Sequence, residues 1–369
     1  MVDEIRSSGP ISFARFMDRA LYEPGLGYYA RDQNPTGKSG DFITSVTVGA
    51  CFGQLLAEQI YEFWTLVGCP MEFHLVEQGA NQGQLMNDII TRLRTAHPDC
   101  AKQLVCHFIE PLESLQAKQS KLLPEAVFHH DVPEFIGAYG VYFCNELIDA
   151  FPVSRLRWNG ERWREMMVDL DEADHFIWTE NDSPCAQHAA RTEIPDGTFA
   201  PNFTTEVCPS LRSWTKSISS LFHRGLWMVI DYGLLAEEYY SAARPDGTLR
   251  GYRNHQMVTE NFLSNPGEID LTAHVNWTAL ESVAVENGMT VLGWVDQMRF
   301  LTALAEPMLR EMETLGKMPP ERLVWLRQFQ TLTHPGHMGT KFQAMILGKG
   351  CDDLPKLRGS KFSRHDAGN

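Results

Sequence analysis

Apolar residues first recur at helical spacing. Residues 10–30 read as a short amphipathic helix followed by a loop carrying Pro24, Gly25 and Gly27. Residues 37–45 read as a polar loop. Val48, Phe52, Leu55, Leu56, Ile60 and Phe63 then mark one face of a long helix ending near Trp64. From residue 73 the pattern alternates. Residues 73–76, 105–109, 126–129 and 140–144 are short apolar runs, each predicted to be a buried strand. Helices are predicted between them at 84–93 and 111–123, with a turn of helix from Glu146. Strand and helix alternating at this spacing indicate a parallel sheet covered on both faces.

The period then shortens. Residues 156–163 form two extended runs around Asn159-Gly160, and 165–170 and 175–180 continue in the same style. This reads as a β-hairpin-rich insertion over 155–205. Helix is expected again at 211–222, a buried strand at 227–230, loops over 236–268, a helix at 273–287, and strands at 291–295 and 342–347 separated by helices between 297 and 329. The predicted fold is therefore α/β, a doubly wound Rossmann-like sheet with a β-hairpin insertion and an N-terminal helical extension. The segments are 1–72, 73–154, 155–205, 206–348 and a fraying tail, 349–369.

Of 369 residues, 43% are hydrophobic and 21% charged, as in ordinary globular proteins. The net charge of −15 argues against nucleic-acid binding, which needs cations to displace phosphate counterions; it either attracts basic partners or only keeps a large chain soluble. None of the eight cysteines forms a C-x-x-C pair or stands near a His at zinc-ligand spacing, so neither a disulfide framework nor a metal site is expected. His129 and His130 are predicted to point to opposite faces of a strand. The first residues lack an apolar core and carry acids, and no apolar run is long enough to span a bilayer. The expectation is no leader, no membrane insertion and a cytoplasmic location.

The chemistry concentrates where the first predicted parallel strand turns into a helix, at Glu77-Gln78-Gly79-Ala80-Asn81-Gln82-Gly83. Glycines there permit positive φ and close approach of backbone to ligand, and Asn81 tolerates left-handed geometry. The spacing is not the G-x-G-x-x-G of dinucleotide sites, and the P-loop lysine is missing. A third reading is a cationic, phosphate-free nucleoside. S-adenosylmethionine carries a sulfonium and an ammonium, which a carboxylate such as Glu77 attracts. Glu110 ends the second strand, where a ribose diol is gripped in doubly wound sites, and Asp131 ends the third, where it could face an adenine amino group. Acids at strand ends also cap following helices, but three in succession favour a ligand.

Further segments follow in order: residues 40–45 (GDFITS), 145–153 (NELIDAFPV), 206–209 (EVCP), 231–233 (DYG), 249–252 (LRGY), 270–275 (DLTAHV) and 338–342 (MGTKF). Together they resemble the MidA family of methyltransferases, whose mitochondrial relative is a complex I assembly factor with protein-arginine methyltransferase activity. The likeness runs from Gly9 to about Leu347. It implies a class I methyltransferase fold and S-adenosylmethionine contacts at Gly40, Asp41, Thr44, Glu77, Gly79, Gly83, Glu110 and Asp131. It also implies an active-site wall from Asn145, Glu146 and Asp149, and a protein substrate with a basic segment, such as a respiratory-complex subunit. The family loop usually reads Glu-x-Gly-Pro-Gly-Arg-Gly; here Ala80, Asn81 and Gln82 replace Pro, Gly and Arg.

Methyl transfer from a sulfonium is an in-line displacement that needs alignment and exclusion of water. A guanidinium substrate is permanently charged, and paired carboxylates would grip its fork. Glu146 and Asp149, three apart at a helical turn, are expected to share a face, with Asn145 alternatively capping that turn. Asp231, Tyr232, Asp270 and His274 are secondary candidates. Trp158 and Trp163 either line a substrate groove or pack a small core of the insertion. Two other functions stand beside the protein-arginine methyltransferase: a non-catalytic assembly factor that kept the fold, and a small-molecule methyltransferase.

Overall fold

The computed structural model describes residues 1–31, 44–182, 193–253, 256–258, 261–314 and 317–363. The chain forms two compact units. One holds Met1–Phe42, Ile148–Trp214 and Gly233–Leu280; the other holds Ile43–Leu147, Thr215–Tyr232 and Glu281–Asn369. The strands, in chain order, are β1 Ile11–Ser12, β2 Phe73–Gln78, β3 Leu104–Ile109, β4 Val127–His129, β5 Gly137–Asn145, β6 Ser154–Trp158, β7 Trp163–Leu170, β8 Phe176–Asn181, β9 Thr204–Val207, β10 Phe222–Leu234, β11 Arg250–Arg253, β12 Gln256–Val258, β13 Asp270–Thr272, β14 Val275–Asn276, β15 Thr290–Asp296 and β16 Phe342–Lys349.

The second unit is the doubly wound sheet. Its order is β15-β16-β10-β5-β2-β3-β4. β10, β5, β2, β3 and β4 are parallel, and β16 runs antiparallel between β10 and β15. The central strands are apolar because both faces are covered. Leu75, Phe108, Val141, Phe143, Met228 and Ile346 are fully buried on one face. They cluster with residues of the helices Cys51–Leu66, Gln84–Ala96 and Gln297–Glu313. Strand order reverses between β2 and β5. In such sheets the crevice beyond the carboxyl ends at that reversal is the ligand site.

The first unit contains a five-stranded antiparallel sheet, β1-β7-β6-β9 with β8 on β7, and a three-stranded sheet, β12-β11-β13. Trp158 pairs with Trp163 across the β6–β7 hairpin. Trp163 packs edge-on against Phe199 and Phe203 in a small separate core. A second core joins Phe13, Phe16, Met17 and Leu21 to Val168, Leu249 and Leu271.

Several boundaries differ from the sequence reading. The 1–72 segment divides, because Ile11 and Ser12 pair with Val168 and Met167 of the hairpin sheet while Cys51–Leu66 packs on the doubly wound sheet. The helix expected at 273–287 starts at Trp277, since Val275 and Asn276 first pair with Gly233 and Leu234. The loop-rich 236–268 segment contains the β11–β12 hairpin. The tail does not fray before residue 363. The amides of Arg358 and Gly359 donate to Glu62 and Gln59, and Trp294 N donates to Ser363 Oγ.

Phe143→Ala removes a fully buried ring from the central strand β5. Denaturant unfolding should show a loss of about 3–5 kcal/mol. A loss below about 1 kcal/mol would contradict this packing.

Candidate active site

The β2–helix connection is a tight left-handed loop. Gly79, Asn81 and Gly83 have φ of 74°, 48° and 82°, so two positions need glycine and Asn81 supplies the third. Gly83 N donates to Ala80 O at 2.8 Å. A Cβ on Gly79 would stand 2.9 Å from Leu147 Cδ1 and would also be strained by its φ. The replacement of the family's central glycine by Asn81 therefore preserves the turn.

Glu77 is 4% exposed and lies beneath this loop. Its Oε2 accepts from Met86 N at 3.1 Å, in the first turn of the helix Gln84–Ala96. Burial pushes its carboxyl up to about 8; the Met86 amide opposes the shift, and Asp88 and Glu110 add to it. Glu110, directly after β3, is equally buried. Its Oε1 accepts from Leu112 N at 3.0 Å and its Oε2 from Gln119 Nε2 at 3.1 Å. Burial raises this carboxyl to about 7, against the lowering effect of those two donors. Gln119 Nε2 also donates to Asn81 O at 2.8 Å, tying the loop to Glu110. Gln119 was not identified from the sequence: nothing in helical spacing distinguishes it from a solvent-facing glutamine.

At the end of β5, Asn145 Nδ2 donates to Glu146 Oε1 at 2.9 Å. The same oxygen receives Ser45 N at 3.4 Å. Glu146 N donates to Ile230 O of β10 at 2.9 Å. Glu146 has φ 53°, a strained conformation for a glutamate and one that concentrates at functional sites. This corrects the expected shared helical face. Glu146 lies outside the short 3-10 helix Ile148–Ala150, and Asp149, buried within that helix, belongs to the other unit. Nor does Asn145 cap it: its side chain turns to the neighbouring carboxylate. Asp231 accepts from Leu147 N and Tyr232 N at 3.2 and 2.8 Å.

Thr44 forms a reciprocal turn with Thr47, and Ser45 Oγ donates to Gln297 Oε1 at 3.1 Å. Gly40 and Asp41 lie outside the described residues. Asp131 is not gathered with the other acids. β4 ends at His129, and the Asp131 side chain, 92% exposed, pairs with His130 Nδ1. In the first unit, Tyr29 donates its hydroxyl to Asp270 Oδ1 at 2.9 Å, and burial lowers His274 to about 4. Among the described residues no group of three His, Cys, Asp or Glu could hold a metal ion, and no two cysteines form a disulfide.

The switch point thus offers carboxylates and no Lys or Arg on the loop. Gln119 Oε1 and Asn145 Oδ1 are buried acceptors without a hydrogen-bond partner among the described residues. An acceptor-rich, phosphate-averse site fits a ligand with ammonium, amino and ribose donors. The profile of a family described as "Putative S-adenosyl-L-methionine-dependent methyltransferase" matches residues 55–295. The chain belongs to that family.

Other methyltransferases agree with this assignment. A crystal structure of an inferred methyl transferase from Burkholderia thailandensis, bound to S-adenosyl-homocysteine, superposes with a TM-score of 0.84 at 26% identity, covering 99% of this chain and 94% of that one. The Homo sapiens protein named protein arginine methyltransferase NDUFAF7, mitochondrial, is 27% identical, with 98% of this chain and 84% of that protein covered. The Caenorhabditis elegans homologue is 26% identical over 94% and 85%. The fold is the class I methyltransferase fold and the cofactor is S-adenosylmethionine, as the sequence implied. These relatives are named as mitochondrial, so they lend no support to the cytoplasmic expectation. No helix among the described residues is long and apolar enough to cross a membrane.

The two raised carboxyls make the methyltransferase's cofactor-free stability depend on pH. Their folded values lie above the ordinary 4.5, so the folded state retains protons that the unfolded state has lost. Their contribution is full below about 4.5 and is lost as pH rises through about 7 and 8. Thermal unfolding of Glu77→Gln should fall less steeply between pH 6 and about 9 than that of the parent. Parallel curves would contradict the burial of Glu77.

Proposed function

We propose that this methyltransferase modifies an arginine side chain of a protein substrate. The observation that carries the reading is Glu146: a glutamate in a left-handed conformation at the switch point, its Oε1 flanked by Asn145 Nδ2 and Ser45 N. Relatives named as protein arginine methyltransferases and the net charge of −15, which favours a basic partner segment, support it.

In this proposal Gly79 and Gly83 let the loop backbone approach the cofactor, Glu77 anchors the loop beneath it, and Glu110 accepts the ribose hydroxyls. Gly40, Asp41, Thr44 and Asp131 remain cofactor candidates on the family pattern. S-adenosylmethionine supplies an electrophilic methyl carbon on a sulfonium. Glu146 accepts guanidinium N–H groups, localising positive charge away from the attacking nitrogen, and Asn145 orients that carboxylate. Asp149 stays a candidate acid, and a respiratory-complex subunit is the proposed partner class.

The test uses methyl-labelled S-adenosylmethionine and two basic peptides, identical except that one carries arginine where the other carries lysine. Label should appear only in the arginine peptide. Glu146→Gln should lower kcat by about 10²-fold or more while cofactor Kd stays within about threefold. Label on the lysine peptide, on neither peptide, or an unchanged kcat in the variant would sink the proposal.

Cofactor affinity should rise as pH increases through about 7, where Glu110 ionises, because a carboxylate is the stronger acceptor of ribose hydroxyls. Calorimetric titration of Glu110→Gln should lose that rise. A rise that persists in the variant would remove Glu110 from the site.

A further inference from the structure

Four side chains outside the proposed chemistry form a continuous line across the parallel sheet. His74 lies near the start of β2, His107 within β3 and His129 at the end of β4. His74 Nε2 meets Glu72 Oε1 at 3.1 Å, His74 Nδ1 meets His107 Nε2 at 3.0 Å, and His107 Nδ1 meets His129 Nε2 at 3.0 Å. His74 and His107 are 4% and 6% exposed, and His129 is half-buried. The fold makes room for the line: any Cβ on Gly137 of β5 would collide with the His74 ring.

Donor and acceptor arithmetic dictates how protons sit in such a line. Each neutral imidazole has one N–H and one bare nitrogen. Glu72 only accepts when ionised, so His74 carries its proton on Nε2 and presents a bare Nδ1. His107 must then donate from Nε2, and His129 likewise. All three rings share one tautomer, and His129 Nδ1 is left as the acceptor at the far end.

We propose that Glu72, His74, His107 and His129 form a relay that stores one proton and passes it across the sheet. A proton arriving at His129 Nδ1 lets the Nε2 proton of His129 move to His107 Nδ1. The Nε2 proton of His107 then moves to His74 Nδ1. His74 becomes an imidazolium beside Glu72, and His107 and His129 remain neutral with inverted tautomers. Every hydrogen bond survives, now reversed between the rings. A second proton has no such arrangement: wherever it rests, two N–H groups face each other.

The surroundings fit this. Burial lowers His74, while the hydrogen bond and charge of Glu72 raise it, so the stored proton rests at that end. Burial and both neighbouring rings hold His107 down to about 3, so it passes protons without keeping them. Burial lowers His129, and the charged or titrating groups that act on the rings are Glu72 and the rings themselves. The far end of the line is also tied to the backbone of Glu110. Glu110 N donates to His129 O at 2.9 Å, so opening at β4 by a second proton is felt at Glu110.

The test is two-bond proton–nitrogen correlation spectroscopy of the whole chain labelled with nitrogen-15 histidine. At pH 8 the three rings should all show the Nε2–H tautomer. As the pH falls below the ordinary histidine range they should take up one proton between them, with His107 and His129 inverting to Nδ1–H while neutral. Rings that titrate separately, or a His107 tautomer that never inverts, overturn the relay. Glu72→Gln, at an exposed position that leaves the fold intact, should lower the midpoint of that uptake by about half to one unit. An unmoved midpoint overturns Glu72 as the terminus.

Discussion

The reversal of strand order between β2 and β5 is the constraint on which the rest depends. Two neighbouring parallel strands send their chains to opposite sides, so their connections part and leave a crevice that neither fills. The Gly79–Gly83 loop leaves from one strand and Asn145-Glu146 from the other. A Cβ on Gly79 would stand 2.9 Å from the end of the Leu147 side chain and be strained by the positive φ there. Ligand loop and strained glutamate are therefore neighbours by topology, whatever their separation in sequence.

The electrostatics of the crevice follow from burial. Glu77 and Glu110 are held in dry positions by amide donors too few to offset the loss of water, and both retain protons near neutrality. An anionic ligand would meet two nearby acids and no loop cation. A cationic nucleoside would meet no such repulsion. Position and desolvation, more than the identity of any one side chain, set the charge of this crevice.

The same sheet carries a second polar line. His74, His107 and His129 occupy places where an apolar residue would satisfy packing, and Gly137 is shaped to admit one of them. Buried polar groups are costly unless fully bonded, and while all three rings are neutral this line closes its hydrogen bonds only when one tautomer runs through them. Glu110 and the histidine line are joined at β4 by the backbone hydrogen bond from Glu110 N to His129 O.

The linear sequence was enough for whatever depends on short spacing. Period and glycine placement marked β2, β3, β5 and the β6–β7 hairpin, and the loop from Glu77 to Gly83 stood out because positive φ restricts residue choice so strongly. The acids after β2 and β3 were legible for the same reason: strand ends are local. Tertiary structure decided the rest. Gln119 joins loop and acid only because the helix Glu113–Leu122 folds back over them. Glu146 left the expected helical face because its amide is taken by Ile230 of a strand more than 80 residues on. Asp131 turned to solvent because β4 stops two residues earlier. The tail was held by amide bonds to a helix near the other end of the chain. Each of these contacts is set by partners distant in sequence, and no local pattern of hydrophobic and polar residues encodes which distant groups will meet.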